Sequence, residues 1–242
     1  MGKAISEHVK TLDNVEISAG VDICDVQNFD YHVYSDINSI DEPEGVIVDF
    51  SNRSLTKDIL DFAIRNNLPS VICSTGHTNE ELQMIEAASS KIPVFRSANM
   101  SLGINLLVML AKKAATLLED SFDIEIIEKH HNQKLDAPSG TAILIADAIN
   151  ESLSYDAEYV HDRHKEHKKR SRNEIGIHAV RGGTIVGEHE VIFAGQDEIV
   201  TVSHRADSRF VFAKGAIEAA TYLKDKKPGM YNMNNLLSEK VK

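Results

Sequence analysis

Cysteine is scarce in this chain. Cys24 and Cys73 are the only two, and they sit far apart in stretches that read as strand or loop. That excludes a disulfide framework, and both are expected to be reduced thiols in a cytoplasmic protein. Long apolar runs are also missing. No stretch is long enough to span a bilayer, and no signal-peptide core is present. Met1–Ser6 matches the N-myristoylation pattern, but Gly2 has a different explanation below. Positive charge is in deficit: 26 Lys and Arg stand against 37 Asp and Glu, a net charge of −11. A general nucleic-acid or anionic-membrane binder is thereby disfavoured, so an anionic ligand must be drawn by local groups. Internal repeats and low-complexity segments are absent too. What remains is 242 residues, 42% of them hydrophobic, enough for one large or two smaller packed domains.

The first half alternates strand and helix. Residues 15–21 read as a strand ending at Asp22, and residues 45–50 as a second strand, apolar enough to be buried on both faces. A helix over 55–66, a strand over 70–73, a helix over 80–89 and a short strand over 93–95 follow. This is the rhythm of an α/β, doubly wound parallel sheet. Residues 102–118 form a long apolar helix leading into a second region. There, residues 174–181, 184–194 and 198–204 read as strands with short turns, an α+β texture closed by a helix over 209–223. The expected domains are 1–100, 101–208, and a tail, 209–242, returning to the first. The charge run His161–Arg170 is expected to be a solvated loop or edge.

Between the textures lies Glu128-Lys129-His130-His131-Asn132-Gln133-Lys134-Leu135-Asp136-Ala137-Pro138-Ser139-Gly140-Thr141-Ala142. Residues 122–128 before it have a strand's alternation, with Phe122, Ile124 and Ile126 on one face. Residues 142–149 after it read as a buried helix, with Ser139 as N-cap and Pro138 near the first turn. The N–H groups of Ser139, Gly140 and Thr141 are expected to lack intrahelical partners and to point at the loop. Histidine titrates near neutral pH, and lysine with a helix N-terminus suits an anion. The segment is built for protonating an anionic substrate. Metal binding is the weaker rival. Adjacent histidines on extended chain point to opposite faces, and no further ligand set completes a site, so no metal is expected.

The same run closely resembles the signature of the dihydrodipicolinate reductase family, and the resemblance spans nearly the whole chain. Ser74-Thr75-Gly76 is similar to its cofactor-facing Thr-Thr-Gly turn, and Ser97-Ala98-Asn99-Met100-Ser101 to its Asn-containing turn beside the nicotinamide. Arg181–His189 resembles its Arg-Gly-Gly-Asp-Ile-Val-Gly-Glu-His strand pair. The resemblance implies a Rossmann domain followed by a substrate and tetramerisation domain. It implies reduction of 4-hydroxy-tetrahydrodipicolinate, a cyclic dicarboxylate, by NADH or NADPH with loss of water, in lysine (diaminopimelate) biosynthesis. By the same resemblance His130 is the general acid/base, Lys134 a second proton donor, and His131, Gly140 and Thr141 bind substrate. Cys73, Ser74, Thr75, Ser97, Ala98, Asn99 and Met100 lie along the cofactor. Cys73 replaces the family's usual Gly and Ser74 its Thr. Asp22 is the expected acceptor for the adenine ribose hydroxyls, which favours NADH by repelling a 2′-phosphate. A homotetramer is implied as well.

One departure stands out. The family opens with a strand and a Gly-rich turn, and here Met1-Gly2-Lys3-Ala4-Ile5 matches only the end of that turn. The missing strand lies at the centre of such a sheet, so two inner strands are expected to have unpaired edges. The expectation is that the protein starts upstream and that Met1 is internal. The alternative is a shortened paralogue, non-catalytic or impaired in cofactor binding. The chain as given is expected to bind NADH weakly and to be poorly stable. Another two-domain oxidoreductase, such as a homoserine or semialdehyde dehydrogenase, does not need the His-His, Lys and Ser-Gly-Thr set.

Overall fold

The structure, a computed structural model, describes residues 1–24, 29–164 and 167–240. In chain order the elements are α1 (Gly2–Val9), β1 (Ala19–Val21), β2 (His32–Tyr34), β3 (Ile47–Asp49), α2 (Thr56–Asn66), β4 (Ser70–Ile72), α3 (Asn79–Ser89), β5 (Pro93–Arg96), α4 (Leu102–Leu118), β6 (Asp123–His130), α5 (Gly140–Asn150), β7 (Glu158–Val160), β8 (Glu174–Arg181), β9 (Gly187–Ala194), β10 (Ile199–Ala206), α6 (Phe210–Leu223), β11 (Gly229–Tyr231) and α7 (Met233–Lys240). They form two compact units: Met1–Leu102 with Phe210–Lys242, and Gly103–Arg209.

In the first unit β11, β5, β4 and β3 form a parallel sheet in that order. Its strands are apolar on both faces because both are covered. Val71 and Phe95 pack with Ala216, Ala219 and Leu223 of α6 and Leu236 of α7. Ile72 and Val94 pack on the other side with Leu60 and Ala63 of α2 and Ile85 and Ala88 of α3. Thr78 and Glu81 close a capping box on α3, satisfying end N–H groups that the helix cannot.

β1 and β2 pair only with each other, in parallel. β1 and β3 therefore each have a hydrogen-bonded neighbour on one side alone among the described residues. β1 covers Ala19–Val21 and not the expected 15–21, since its three-residue partner offers no ladder to a longer strand.

The second unit is a mixed five-stranded sheet, in order β10-β9-β6-β8-β7. β6 pairs in parallel with β8 and antiparallel with β9. Ile124, Ile126, Ile175, Ile177, Val191 and Phe193 face Ala111 and Ala115 of α4 and Ile145 and Ile149 of α5. Strand alternation selects that face, and the small residues let the helices lie close. Of the charge run, Lys165 and Glu166 lie outside the described residues, and His161, His164, His167, Lys168 and Lys169 are exposed. Two arginines depart from a solvated run. Arg163 pairs with the buried Glu174. Arg170 donates to Glu125 Oε1 (3.0 Å), Asp123 Oδ1 (2.8 Å) and the Ile124 carbonyl (2.9 Å). Both pin the parallel β6–β8 ladder.

Candidate active site

Along β6, Ile124, Ile126 and Glu128 share the core face, so alternation drives a carboxylate into the interior. Glu128 is fully buried. A buried charge must be paired and fully hydrogen-bonded, and this one is. Arg181, at the end of β8, donates Nη1 to Oε2 (2.8 Å) and Nη2 to Oε1 (2.6 Å), a bidentate fork. Ser139 N–H donates to Oε1 (2.9 Å), and His130 Nδ1 lies 2.7 Å from Oε2. Burial alone would raise the Glu128 carboxyl. The Arg181 fork, His130 and the Ser139 N–H outweigh it and hold the group below the usual carboxylate range.

His130 ends β6, two residues beyond Glu128 and on the same face. Its ring meets that of His189 edge-on at 5.2 Å. Gly187 lies beside it, and a Cβ there would fall 3.2 Å from Nε2. His189 is buried, with Nε2 3.1 Å from Ser139 Oγ, which also accepts the Ala142 N–H as the α5 cap. Burial, then the neighbouring His130, push the His189 imidazole down to about 4, so it stays neutral. Its field also includes Lys134.

Lys134 sits on the turn after β6, its Nζ 2.9 Å from Asp136 Oδ1. The Asp136 carboxylate also accepts the Gly140 N–H; Lys134 first, then these backbone contacts, hold it low. One carboxylate thus spans the lysine and the α5 N-terminus. Two of the cap N–H groups expected to be free are therefore engaged by the chain's own acids: Ser139 with Glu128, Gly140 with Asp136. Gly140 has open space where a Cβ would stand. Thr141 follows it, half-buried, and His131 is half-buried on the loop.

The expected cofactor residues lie in the first unit. Cys73, Ser74, Thr75 and Gly76 follow β4 and line a cleft of about 450 Å³. Its other wall is Phe50, Ser51, Asn52 and Arg53, which the sequence reading passed over. These residues follow β3, and loops at the carboxyl ends of parallel strands are where a doubly wound sheet binds ligands. Ser74 Oγ donates to Asp49 Oδ2 (2.7 Å), and Gly76 takes φ +76° to turn the chain. Cys73 is buried and its thiol is pushed far up by burial, then by Asp49, so it is inert.

Ser97, Ala98, Asn99 and Met100 follow β5, the strand beside β4, but do not line the cleft. Asn99 Oδ1 accepts the Ser101 N–H (2.8 Å), and Ser97 Oγ donates to the Asn99 carbonyl (2.9 Å). Asp22, exposed after β1, accepts the Cys24 N–H (2.9 Å). The residues fit a dinucleotide: the cleft is polar and open, and Arg96 Nε at the end of β5 is buried with no hydrogen-bond partner among the described residues.

Comparison with known proteins assigns both halves to one family. Residues 1–100 match the description "Dihydrodipicolinate reductase, N-terminus" and residues 103–237 "Dihydrodipicolinate reductase, C-terminus". The 4-hydroxy-tetrahydrodipicolinate reductase of Caldanaerobacter subterraneus subsp. tengcongensis is 52% identical over 99% of this chain and 94% of its own length. That of Clostridium tetani is 48% identical over 98% and 93%. Among solved structures, the dipicolinate-bound dihydrodipicolinate reductase of Paenisporosarcina sp. TG-14 superposes with a TM-score of 0.80 at 26% identity, covering 97% and 94% of the two chains. A probable dehydrogenase of Thermotoga maritima shares the fold, with a TM-score of 0.60 at 10% identity over 97% and 89%.

Proposed function

The chain belongs to the dihydrodipicolinate reductase family, and we propose that His130 and Lys134 are the proton donors of its reaction. That reaction is the nicotinamide-dependent reduction of 4-hydroxy-tetrahydrodipicolinate with loss of water, a step of lysine biosynthesis. The nicotinamide, when bound, supplies a hydride. Over the whole reaction one proton is also taken up and one water leaves. A proton source must therefore meet the charge that builds on the substrate. His130 holds a proton at Nε2 for that purpose, and Lys134 supplies a second N–H donor and a fixed positive charge.

The substrate is a dicarboxylate. Its carboxylate takes the place now held by Asp136, between Lys134 Nζ and the Gly140 N–H, with Thr141 and His131 beside it. The observation that carries this reading is Asp136 itself, a carboxylate already spanning those two donors. Cys73, Ser74 and Thr75, with Phe50–Arg53, hold the cofactor along the β3 and β4 ends. Ser97, Ala98, Asn99 and Met100 do so after β5. Asp22 accepts the ribose hydroxyls and favours NADH over NADPH.

The protein is a cytoplasmic homotetramer in this reading. Val180, Ile199 and Val200 expose apolar area on β8 and β10 of the kind that an intersubunit sheet covers. No helix among the described residues is long and apolar enough to cross a membrane.

The test couples the enzyme to the synthase that makes its substrate and follows NADH absorbance. Replacing His130 and Lys134 together by Ala is expected to abolish turnover and to leave NADH binding, read by calorimetry, largely intact. Retained turnover would overturn the assigned roles.

A further inference from the structure

Glu128 neither donates a proton nor binds substrate in that reaction, yet it is fully buried and four polar groups converge on its carboxylate. We propose that Glu128 is the positioning residue for His130: it keeps a hydrogen on Nδ1 and so reserves Nε2 as the atom that exchanges its proton with the substrate. The proposal rests on the reading of His130 as a proton donor.

An ionised carboxylate only accepts hydrogen bonds. Three of the four contacts to Glu128 are unambiguous donors: Arg181 Nη1, Arg181 Nη2 and the Ser139 N–H. The group is thereby held as a carboxylate, so the fourth contact, His130 Nδ1 at 2.7 Å, must donate too. The neutral ring is then the Nδ1–H tautomer, with a bare Nε2. The protonated ring carries a second hydrogen on Nε2 alone. At that edge Gly187 contributes no side chain.

The Arg181 fork has a further consequence. It balances the charge of Glu128, so the carboxylate orients the ring without itself accepting its proton. The Ser139 N–H ties the start of α5 to the same carboxylate, so the proton donor and the Gly140–Thr141 end share one reference point. Stability alone is a weak explanation for such a pair. Apolar side chains of similar volume often serve a folded chain as well as a buried ion pair, or better.

The experiment replaces the pair by volume, as Glu128→Met with Arg181→Met. The double variant leaves no buried charge unpaired, so it is expected to fold. Its kcat is expected to fall by roughly 10²- to 10⁴-fold, the range of a lost general acid, with a smaller change in KM. Wild-type kcat in the double variant, with turnover lost in His130→Ala, would reduce Glu128 to a counter-ion for Arg181 and overturn the proposal. Turnover retained in His130→Ala would instead sink the reading of His130. A second measurement needs no variant. ¹⁵N NMR of histidine-labelled wild-type enzyme, at a pH where His130 is neutral, is expected to show Nδ1 protonated and Nε2 bare. An Nε2–H tautomer there would overturn the proposal.

Discussion

The cage around His130 and the cleft beside Ser74 are built on opposite principles. In the cage, an arginine and a histidine from two strands and a backbone N–H at a helix start converge on one buried carboxylate whose contacts are all 2.6–2.9 Å. In the cleft, three hydroxyls and one arginine stand beside Phe50, Asn52 and Cys73 on loops open to solvent over about 450 Å³. The difference follows from the tasks. Proton transfer needs one atom held to within tenths of an ångström, whereas a dinucleotide spreads many modest contacts over several loops. A cage of interlocked charges should fail abruptly when one member goes, and a cleft should lose affinity in steps.

Removing half of the ion pair is the strongest way to break that comparison. Arg181→Met leaves Glu128 buried without its counter-charge, and the expected loss is about 3 kcal/mol or more of stability. Urea denaturation at pH 7 measures it. A loss no greater than that of the Glu128→Met, Arg181→Met double variant would mean that the cage tolerates an unpaired charge, and the contrast would collapse.

Acid probes the same interior through His189. Its folded-state value of about 4 lies below the 6.5 of a free histidine, because burial and then His130 oppose its charging. The unfolded chain therefore binds a proton that the folded chain refuses, and stability is lost as pH falls from 6.5 towards 4. At about 1.4 kcal/mol per pH unit the full effect is about 3 kcal/mol. Glu128 adds to the acid loss lower down, since its stabilisation is present above the ordinary carboxylate range and vanishes as pH falls through its depressed value. His189→Gln is expected to flatten the stability profile between pH 6.5 and 4, read by urea midpoints. His77 and His204, also depressed by burial, leave some slope behind. An unchanged profile would show that His189 charges without cost.

These two sites were unequally legible in the sequence. His130, Lys134 and the Ser139 cap stood out because side-chain chemistry is written in residue types. Glu128 could have been found too. The alternation that put Ile124 and Ile126 on the core face put Glu128 there as well, and a charge on that face demands partners. Arg181 and His189 stood out only as the ends of a run that resembles the family's strand pair; their partners were not legible, since Glu128 lies 53 positions from Arg181 and Ser139 lies 50 from His189, brought together by the β6–β8 and β6–β9 ladders. The doubly wound rhythm was readable from apolar runs, but β2, β7 and β11 were not. Each is three residues long, too short for a period, and depends on a neighbouring strand for its existence. The wall Phe50–Arg53 was invisible for a further reason: it is defined by lying at a strand's carboxyl end, not by its composition.

The first unit has its own point of tight contact, away from the cleft lining. Gly215 of α6 sits against the Met100 carbonyl, and a Cβ there would overlap that oxygen. Backbone cannot swing aside as a side chain can. Gly215→Ala is expected to cost about 1–3 kcal/mol by overpacking and to shift the Ser97–Met100 turn. Calorimetry with NADH should show affinity falling by roughly tenfold, a moderate step in keeping with dispersed contacts. Unchanged NADH affinity in a destabilised variant would separate that turn from cofactor binding.

The smallest change tests how tightly the cage is set. Gly187 begins β9, its backbone is one an alanine adopts without strain, and the nearest described atoms to a methyl group there are those of the His130 ring, at 3.2 Å. Relief requires the ring to shift by a few tenths of an ångström, and Glu128 and His189 leave it little room. Stability should fall by no more than about 1 kcal/mol, because the overlap at this buried glycine is only a few tenths of an ångström. Catalysis should respond more: a displacement of about 1 Å can cost 10²-fold, so a few tenths should cost kcat roughly tenfold. KM should follow Lys134 and the α5 end, which the methyl does not touch, and stay near its wild-type value. A tenfold fall in kcat with only a small fall in melting temperature would fix the tolerance of the cage at the sub-ångström scale. An equal rise in KM would mean that the methyl blocks substrate entry, and wild-type kcat would mean that His130 moves freely on its carboxylate.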